Sequence, residues 1–247
     1  MFRYLFSLIF VCAVVQVQAA DIRIAAATNL RYVLPALAEE FEQQTGYQLA
    51  VSYAASGTLT TQIQHGAPFE VFLSANPDYV QRLIKAEFTE GKVVEYAQAQ
   101  LALFAANHSL LDVDDSLLSL KTALEQGKLN KVAIANPKYA PYGQAARSEL
   151  EKAGIWQQIQ PHLLIAENAS QVVQFSLSTS VDAGFVPYAH IIQPQLASLG
   201  RFVKLDVTLP QQAVLVRGAS EYADQFLKFV QTERARMIFI KHGFLVD

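Results

Sequence analysis

The sequence predicts an α/β fold in which two lobes share one chain, and three observations point to it. Strand-like and helix-like segments alternate from residue 21 onward, the order of a sheet flanked by helices. The same order returns in the second half of the chain. Two alternating apolar stretches, "AQLALFAAN" and "QQAVLVRG", follow the two sets, and neither a low-complexity linker nor a sequence repeat separates them. The chain is therefore expected to cross twice between the lobes, as in a hinge. The βαβαβ order predicts parallel strands with helices on both faces.

Ahead of the first strand, "MFRYLFSLIFVCAVVQVQAA" carries one early cation, Arg3, an apolar run from Tyr4 to Val15, and small residues at Val17-Gln18-Ala19. That pattern is a cleavable export signal over residues 1–20, with the mature chain starting at Ala20 or Asp21. Bulky Phe10-Val11 before Cys12 argue against a lipid anchor, and no other segment is long and apolar enough to span a bilayer. Cys12 is the only cysteine, so the mature chain has no thiol chemistry and no disulfide. About 227 residues remain, enough for one large domain or two lobes. They carry 18 basic against 22 acidic residues with no cationic cluster, which argues against nucleic acid as a partner.

"DIRIAAA" reads as a buried strand, stopping at Thr28-Asn29 where a helix is expected to begin. Leu34, Leu37 and Phe41 give that helix one apolar stripe, Pro35 belongs in its first turn or bends it, and Gly46 ends it. "YQLAVSYAA" is the next strand, Ser56-Gly57 open a helix, "PFEVFLSAN" is a short buried strand, and Pro77 starts a helix through Leu83. In the second set, "KVAIANPK" and "HLLIAEN" are strands that lead into helices at Pro141 and Asn168, and "DAGFVPYA" is strand-like. One final helix is expected over "EYADQFLKFVQTERARMIFIKHG".

Four strand ends thus meet four helix starts at small polar residues: Thr28-Asn29, Ser56-Gly57, Tyr142-Gly143 and Asn168-Ala169-Ser170. Ligands of open α/β sheets bind outside the carboxyl ends of the strands, and the free N–H groups at helix starts favour anions. Each of these taken alone is an ordinary cap. Their joint occurrence at equivalent positions is what points to an oxyanion site needing no Lys or Arg.

"AAATNL", "YAASGTLTTQIQHGAPFEVFLSAN", "NPKYAPYGQAA" and "ENASQVVQFSLSTSVDAGFVPYA" together resemble the periplasmic molybdate/tungstate-binding proteins of ABC importers, in order and over nearly the whole mature chain. The resemblance implies a type II periplasmic-binding fold, with lobe 1 over 21–102 and 208–247, lobe 2 over 103–207, two hinge crossings and one oxyanion in the cleft. It implies no cofactor, a periplasmic monomer, and delivery to an ABC permease and its ATPase. By position, Thr28 and Ser56 take the hydroxyl places, with Asn29 and Gly57 beside them. Tyr142 and Ala169 stand where backbone N–H groups bind. Some relatives place a tyrosine where Pro187 stands here, so the phenol is expected from Tyr142, with Tyr188 as the alternative.

Other readings have weaker carriers. Sulfate would use donors of the same kind. A carboxylate binder would be expected to place an Arg in these loops, and none stands there. An exported enzyme on the same fold lacks a GxSxG elbow, a P-loop or a GxGxxG, and Ser56 has no base nearby. His65, His108, His162, His190 and His242 are scattered without metal spacing, so surface or structural roles are expected. Glu70, beside a buried strand, is expected to be structural.

Overall fold

The computed structural model describes residues 21–246, so the proposed export signal, with Cys12, lies outside the described residues. The strands are β1 (Ile22–Ala27), β2 (Leu49–Ala54), β3 (Val71–Ser74), β4 (Thr89–Ala106), β5 (Val132–Ala135), β6 (Leu163–Ala166), β7 (Ala183–Pro187) and β8 (Gly200–Val216). The helices are α1 (Leu34–Thr45), α2 (Ser56–Gln64), α3 (Pro77–Lys85), α4 (Leu118–Glu125), α5 (Pro141–Lys152), α6 (Trp156–Ile159), α7 (Ala169–Ser176), α8 (Tyr188–Ile191), α9 (Pro194–Ala197), α10 (Glu221–Phe229) and α11 (Glu233–Lys241).

The strands form one mixed sheet in the order β2-β1-β3-β8-β4-β7-β5-β6. It reads as two equivalent halves. β1 lies parallel between β2 and β3, and β5 lies parallel between β6 and β7. One long antiparallel strand closes each half, β8 on β3 and β4 on β7. β4 and β8 then pair with each other along most of their length, with register breaks near Glu90, Glu95 and Gln100. These two strands are the predicted crossings, and both are longer than the apolar stretches that announced them. Their outer parts carry exposed charges such as Glu90, Lys92 and Glu95, which hid the strand pattern.

Alternation along the strands sends side chains to two separate layers. Ile24, Ala26, Val71 and Leu73 pack with Leu34, Leu37 and Phe41 of α1. Phe226 of α10 meets the Phe41 ring edge-on at 5.3 Å, which ties the C-terminal helices to the first half. Ala25, Phe72 and Val214 face the other way, onto Leu59 and Ile63 of α2 and Val80 and Leu83 of α3. Helices thus cover both faces.

Two local expectations are corrected, and one helix is additional. Thr28-Asn29 open a 3-10 turn, Thr28–Leu30, rather than a helix, while α1 runs over the stretch "LPALAEEFEQQTG" as read from its apolar stripe, with Pro35 in its first turn where its missing N–H costs nothing. The C-terminal helix is two helices, because Thr232 bonds back to the Phe229 carbonyl (2.7 Å) and accepts from the Ala235 N–H (3.3 Å), capping a new start. α4 was not anticipated; it is opened by Asp114, whose carboxylate accepts from the Leu118 and Ser119 N–H groups, both at 2.8 Å. Gly46 ends α1 as expected, in the left-handed conformation at φ +78°. Glu70 accepts from the Arg23 and Ser220 N–H groups at 3.0 and 3.3 Å, a structural tie between β1 and the start of α10.

Candidate functional site

The segments after β1, β2, β5 and β6, equivalent positions in the two halves, converge on one small cavity. Thr28, Asn29, Ser56, Tyr142 and Ala169 line it together with Ala27, Ala55, Ala75, Ala140 and Pro141. The room for the centre of a water-sized sphere is about 10 Å³. None of the lining side chains is charged. Five of the seven residues picked from the sequence, which span 142 positions of chain, therefore meet at one point.

Caps would use up the polar groups at these starts, and mostly they do not. The residues preceding the 3-10 turn, α2 and α5 are Ala27, Ala55 and Ala140, none of which can supply a capping side chain. Helix geometry leaves the first N–H groups of α2, α5 and α7 without intrahelical partners, those of Ser56, Tyr142 and Ala169 among them. At α7, Asn168 does cap, but it takes the N–H of Gln171 (3.1 Å) and leaves that of Ala169. Pro141 at the start of α5 has no N–H, so Tyr142 carries the first.

The side chains are held in place. Ser56 is fully buried, and its Oγ accepts from the Ala75 N–H at 3.1 Å. That bond occupies the oxygen and leaves the hydroxyl proton to donate elsewhere. Asn29 donates its Nδ2 to Gln211 Oε1 at 2.9 Å, and Gln211 Nε2 donates to the Leu209 carbonyl at 2.8 Å. The two bonds settle the amide orientations: Gln211 must accept from Asn29, so Asn29 Oδ1 is left without a partner. The Tyr142 hydroxyl is also buried and without a partner. Burial pushes this phenol far above its ordinary range, against a smaller downward pull from the Asn29 side chain, so it is a neutral donor.

Two expected residues stand elsewhere. Gly57 was placed beside the ligand, but its N–H donates to the Tyr139 carbonyl across the two halves at 2.9 Å. A Cβ there would meet that oxygen at 2.7 Å and Tyr79 Cε1 at 2.8 Å, so the close approach glycine permits is of backbone to backbone. Tyr188, the alternative phenol, packs near Phe202 (6.1 Å between rings) with Lys204 Nζ 5.1 Å from its centroid, and does not line the cavity. Pro187 ends β7 opposite Leu101.

Further bonds join the halves around the cavity. Asn76 Nδ2 donates to Gln144 Oε1 (3.1 Å), Gln144 Nε2 to Tyr79 Oη (3.2 Å), and Ser170 Oγ to the Thr28 carbonyl (3.2 Å). Sequence reading missed Gln211 and Ser170 as supports. Ser170 stands at a helix start that the sequence marks, whereas nothing local marks Gln211, which meets Asn29 across 182 residues. Among the described residues no group of His, Cys, Asp and Glu could hold a metal ion.

Comparison with known proteins places this architecture. Residues 22–245 match the family model described as bacterial extracellular solute-binding protein. The molybdate-binding protein ModA of Rhodobacter capsulatus is 33% identical over 234 residues, 93% of this chain and 90% of that protein. Its namesake from Azotobacter vinelandii is 33% identical over 175 residues, 70% of this chain and 67% of that one. The solved structure of the Azotobacter vinelandii periplasmic molybdate-binding protein superposes with a TM-score of 0.83 at 29% identity, covering 92% of this chain and all of the other. The sulfate-binding protein SubI of Mycobacterium tuberculosis shares the fold, with a TM-score of 0.75 at 17% identity and coverage of 91% and 86%. The chain belongs to the bacterial extracellular solute-binding proteins.

Proposed function

We propose that this protein captures molybdate or tungstate in the cavity between its two lobes and hands it to a membrane permease driven by an ATPase, without making or breaking a bond. One observation carries the reading: neutral donors from both halves of the chain surround a closed, uncharged cavity at equivalent helix starts. Such donors, helped by the helix dipoles, stabilise a dianion without the desolvation cost of an opposing buried cation. The cavity is small, so a compact inorganic anion suits it better than an amino acid or a sugar. The relatives that bear the name molybdate-binding support the choice of anion.

Thr28, Ser56 and Tyr142 donate through hydroxyls, and Tyr142 and Ala169 through backbone N–H groups. Each such bond to a charged ligand contributes roughly 1.5–3 kcal/mol. The lobes, 21–102 with 208–247 and 103–207, close over the anion, and the mature chain acts in the periplasm after removal of residues 1–20.

A thermal-shift panel of molybdate, tungstate, sulfate, phosphate and a small carboxylate tests the reading. Ligand at a hundred times its Kd stabilises the native state by about 2.7 kcal/mol, a shift of a few degrees for a chain this size. Molybdate and tungstate are expected to give that shift well below the concentration at which sulfate does. A larger response to sulfate would reassign the ligand, and turnover of any added ester would reassign the class.

A further inference from the structure

His190 has no part in the cavity, yet it is 1% exposed and lies directly behind it. It sits on α8, in the second half of the chain. Its ring meets Tyr32 of the first half edge-on, with centroids 4.8 Å apart and planes at 84°. The backbone carbonyls of Asn29 and Thr28 lie beside it. The same two residues line the cavity. Ser170 Oγ reaches the Thr28 carbonyl from α7, so the second half holds this segment both by that bond and by packing His190 on Tyr32. Opening the lobes has to draw both groups off the turn and expose the imidazole to water.

The surroundings suit only the neutral ring. Nε2 is fully buried and makes no hydrogen bond, so the two nearby carbonyls offset only part of the cost of burying a charged ring. Next to His190, the first half presents Arg31 and Tyr32. Asn168 and, from α7, Ser170, Gln171 and Gln174 stand there, α9 presents Leu196, and β7 with the stretch of β4 paired to it, which also pack on α8, carries no charged residue. Its own helix contributes Tyr188, which already has Lys204 over its ring. No carboxylate faces the site from these elements. Burial first, then Arg31, lower the imidazole pKa to about 4 against the upward pull of the Asn29 and Thr28 carbonyls.

We propose that His190 is a positioning residue for the anion site and a proton-sensitive latch between the lobes: neutral, it backs the Thr28–Asn29 turn in the closed protein, and protonated, it leaves that interface and favours the open one. The proposal rests on the reading of the cavity as an oxyanion site. The sign follows from linkage. An exposed imidazole in the open protein titrates near pH 6.5 and the buried one near 4, so between these values the open form binds more protons. Acid therefore weakens binding, and binding in that window releases a proton.

The test is calorimetry of molybdate binding at pH 7.5, 6 and 5.5, on the wild type and on His190→Gln, which keeps a neutral polar group at every pH. The wild-type affinity is expected to fall about tenfold from pH 7.5 to 5.5, while His190→Gln stays level within about twofold. Any protonation of the ligand itself acts on both proteins alike and cancels. A second measurement needs no variant: at pH 6, in two buffers of different ionisation enthalpy, the wild type should release most of one proton per anion bound, and almost none at pH 7.5. Superimposed pH profiles with intact binding, or proton uptake on binding, overturn the latch alone. Absence of molybdate binding at pH 7.5 overturns the oxyanion reading itself.

Discussion

Ser56 and Thr28 differ from ordinary helix-start residues in what their polar atoms touch. Ser56 Oγ is engaged by the Ala75 N–H from a neighbouring loop, and neither residue caps the helix or turn it opens. A cap lost to alanine costs folding stability of about 1 kcal/mol. A ligand donor lost to alanine costs affinity instead. Thr28→Ala, Ser56→Ala and Tyr142→Phe are each expected to weaken molybdate by roughly 1.5–3 kcal/mol, with a near-normal melting temperature for Thr28→Ala and Tyr142→Phe and one lowered by a few degrees for Ser56→Ala, which also strips the buried Ala75 N–H of its acceptor. Tyr188→Phe, remote from the cavity, is expected to change the affinity little. Calorimetry and thermal melts of the four variants decide it. Normal affinity for Thr28→Ala and Ser56→Ala would return both hydroxyls to structural roles, and a Tyr188 effect without a Tyr142 effect would reverse the assignment of the phenol.

At the scale of elements, the start of α2 belongs to two functions at once. Ser56 faces the cavity, while the next residue, Gly57, docks on Tyr139 ahead of α5. A methyl group at Gly57 would press on Tyr139 backbone oxygen, Tyr139 Cβ and the Tyr79 ring, at 2.7, 2.8 and 2.8 Å. Tyr139 belongs to the opposite half, so part of this clash is relieved when the lobes separate. Gly57→Ala should consequently fold, because α2 itself tolerates alanine, but resist closing. We expect molybdate affinity to drop by tenfold or more, at least about 1.4 kcal/mol, with circular dichroism unchanged. An unchanged affinity would mean that the two halves do not need this contact in the bound state.

Across the whole molecule, the two long strands β4 and β8 carry both the covalent connection and the sheet continuity between the halves. Their register breaks near Glu90, Glu95 and Gln100 are places where a paired ribbon can bend while keeping most of its hydrogen bonds. The cavity walls come from both halves, so anion can enter only when they part. Hinge closure on binding is the expected motion. Small-angle scattering should give a smaller radius of gyration with saturating molybdate than without it. Identical profiles, with binding confirmed by calorimetry, would show that the lobes do not move as supposed.

Much of this was legible because the relevant signals are local. Alternating strand and helix segments, small polar residues at strand ends and Gly46 at a helix end each act through backbone geometry over a few residues, so the order of elements and the starts of α2, α5 and α7 could be read directly. The break at Thr232 was not read, because a threonine inside an apolar helical pattern becomes a cap only when its neighbours turn. Charged outer residues likewise masked the true lengths of β4 and β8. What only the tertiary structure decided is which polar groups remain free. Gly57 looked like a ligand contact until Tyr139, 82 residues away, took its N–H. Asn29 acquired a settled amide through Gln211, and His190, one of five scattered histidines, became a buried neighbour of the site through the fold alone. Local sequence determines where donors can exist; the packing of distant segments determines which of them are already spent.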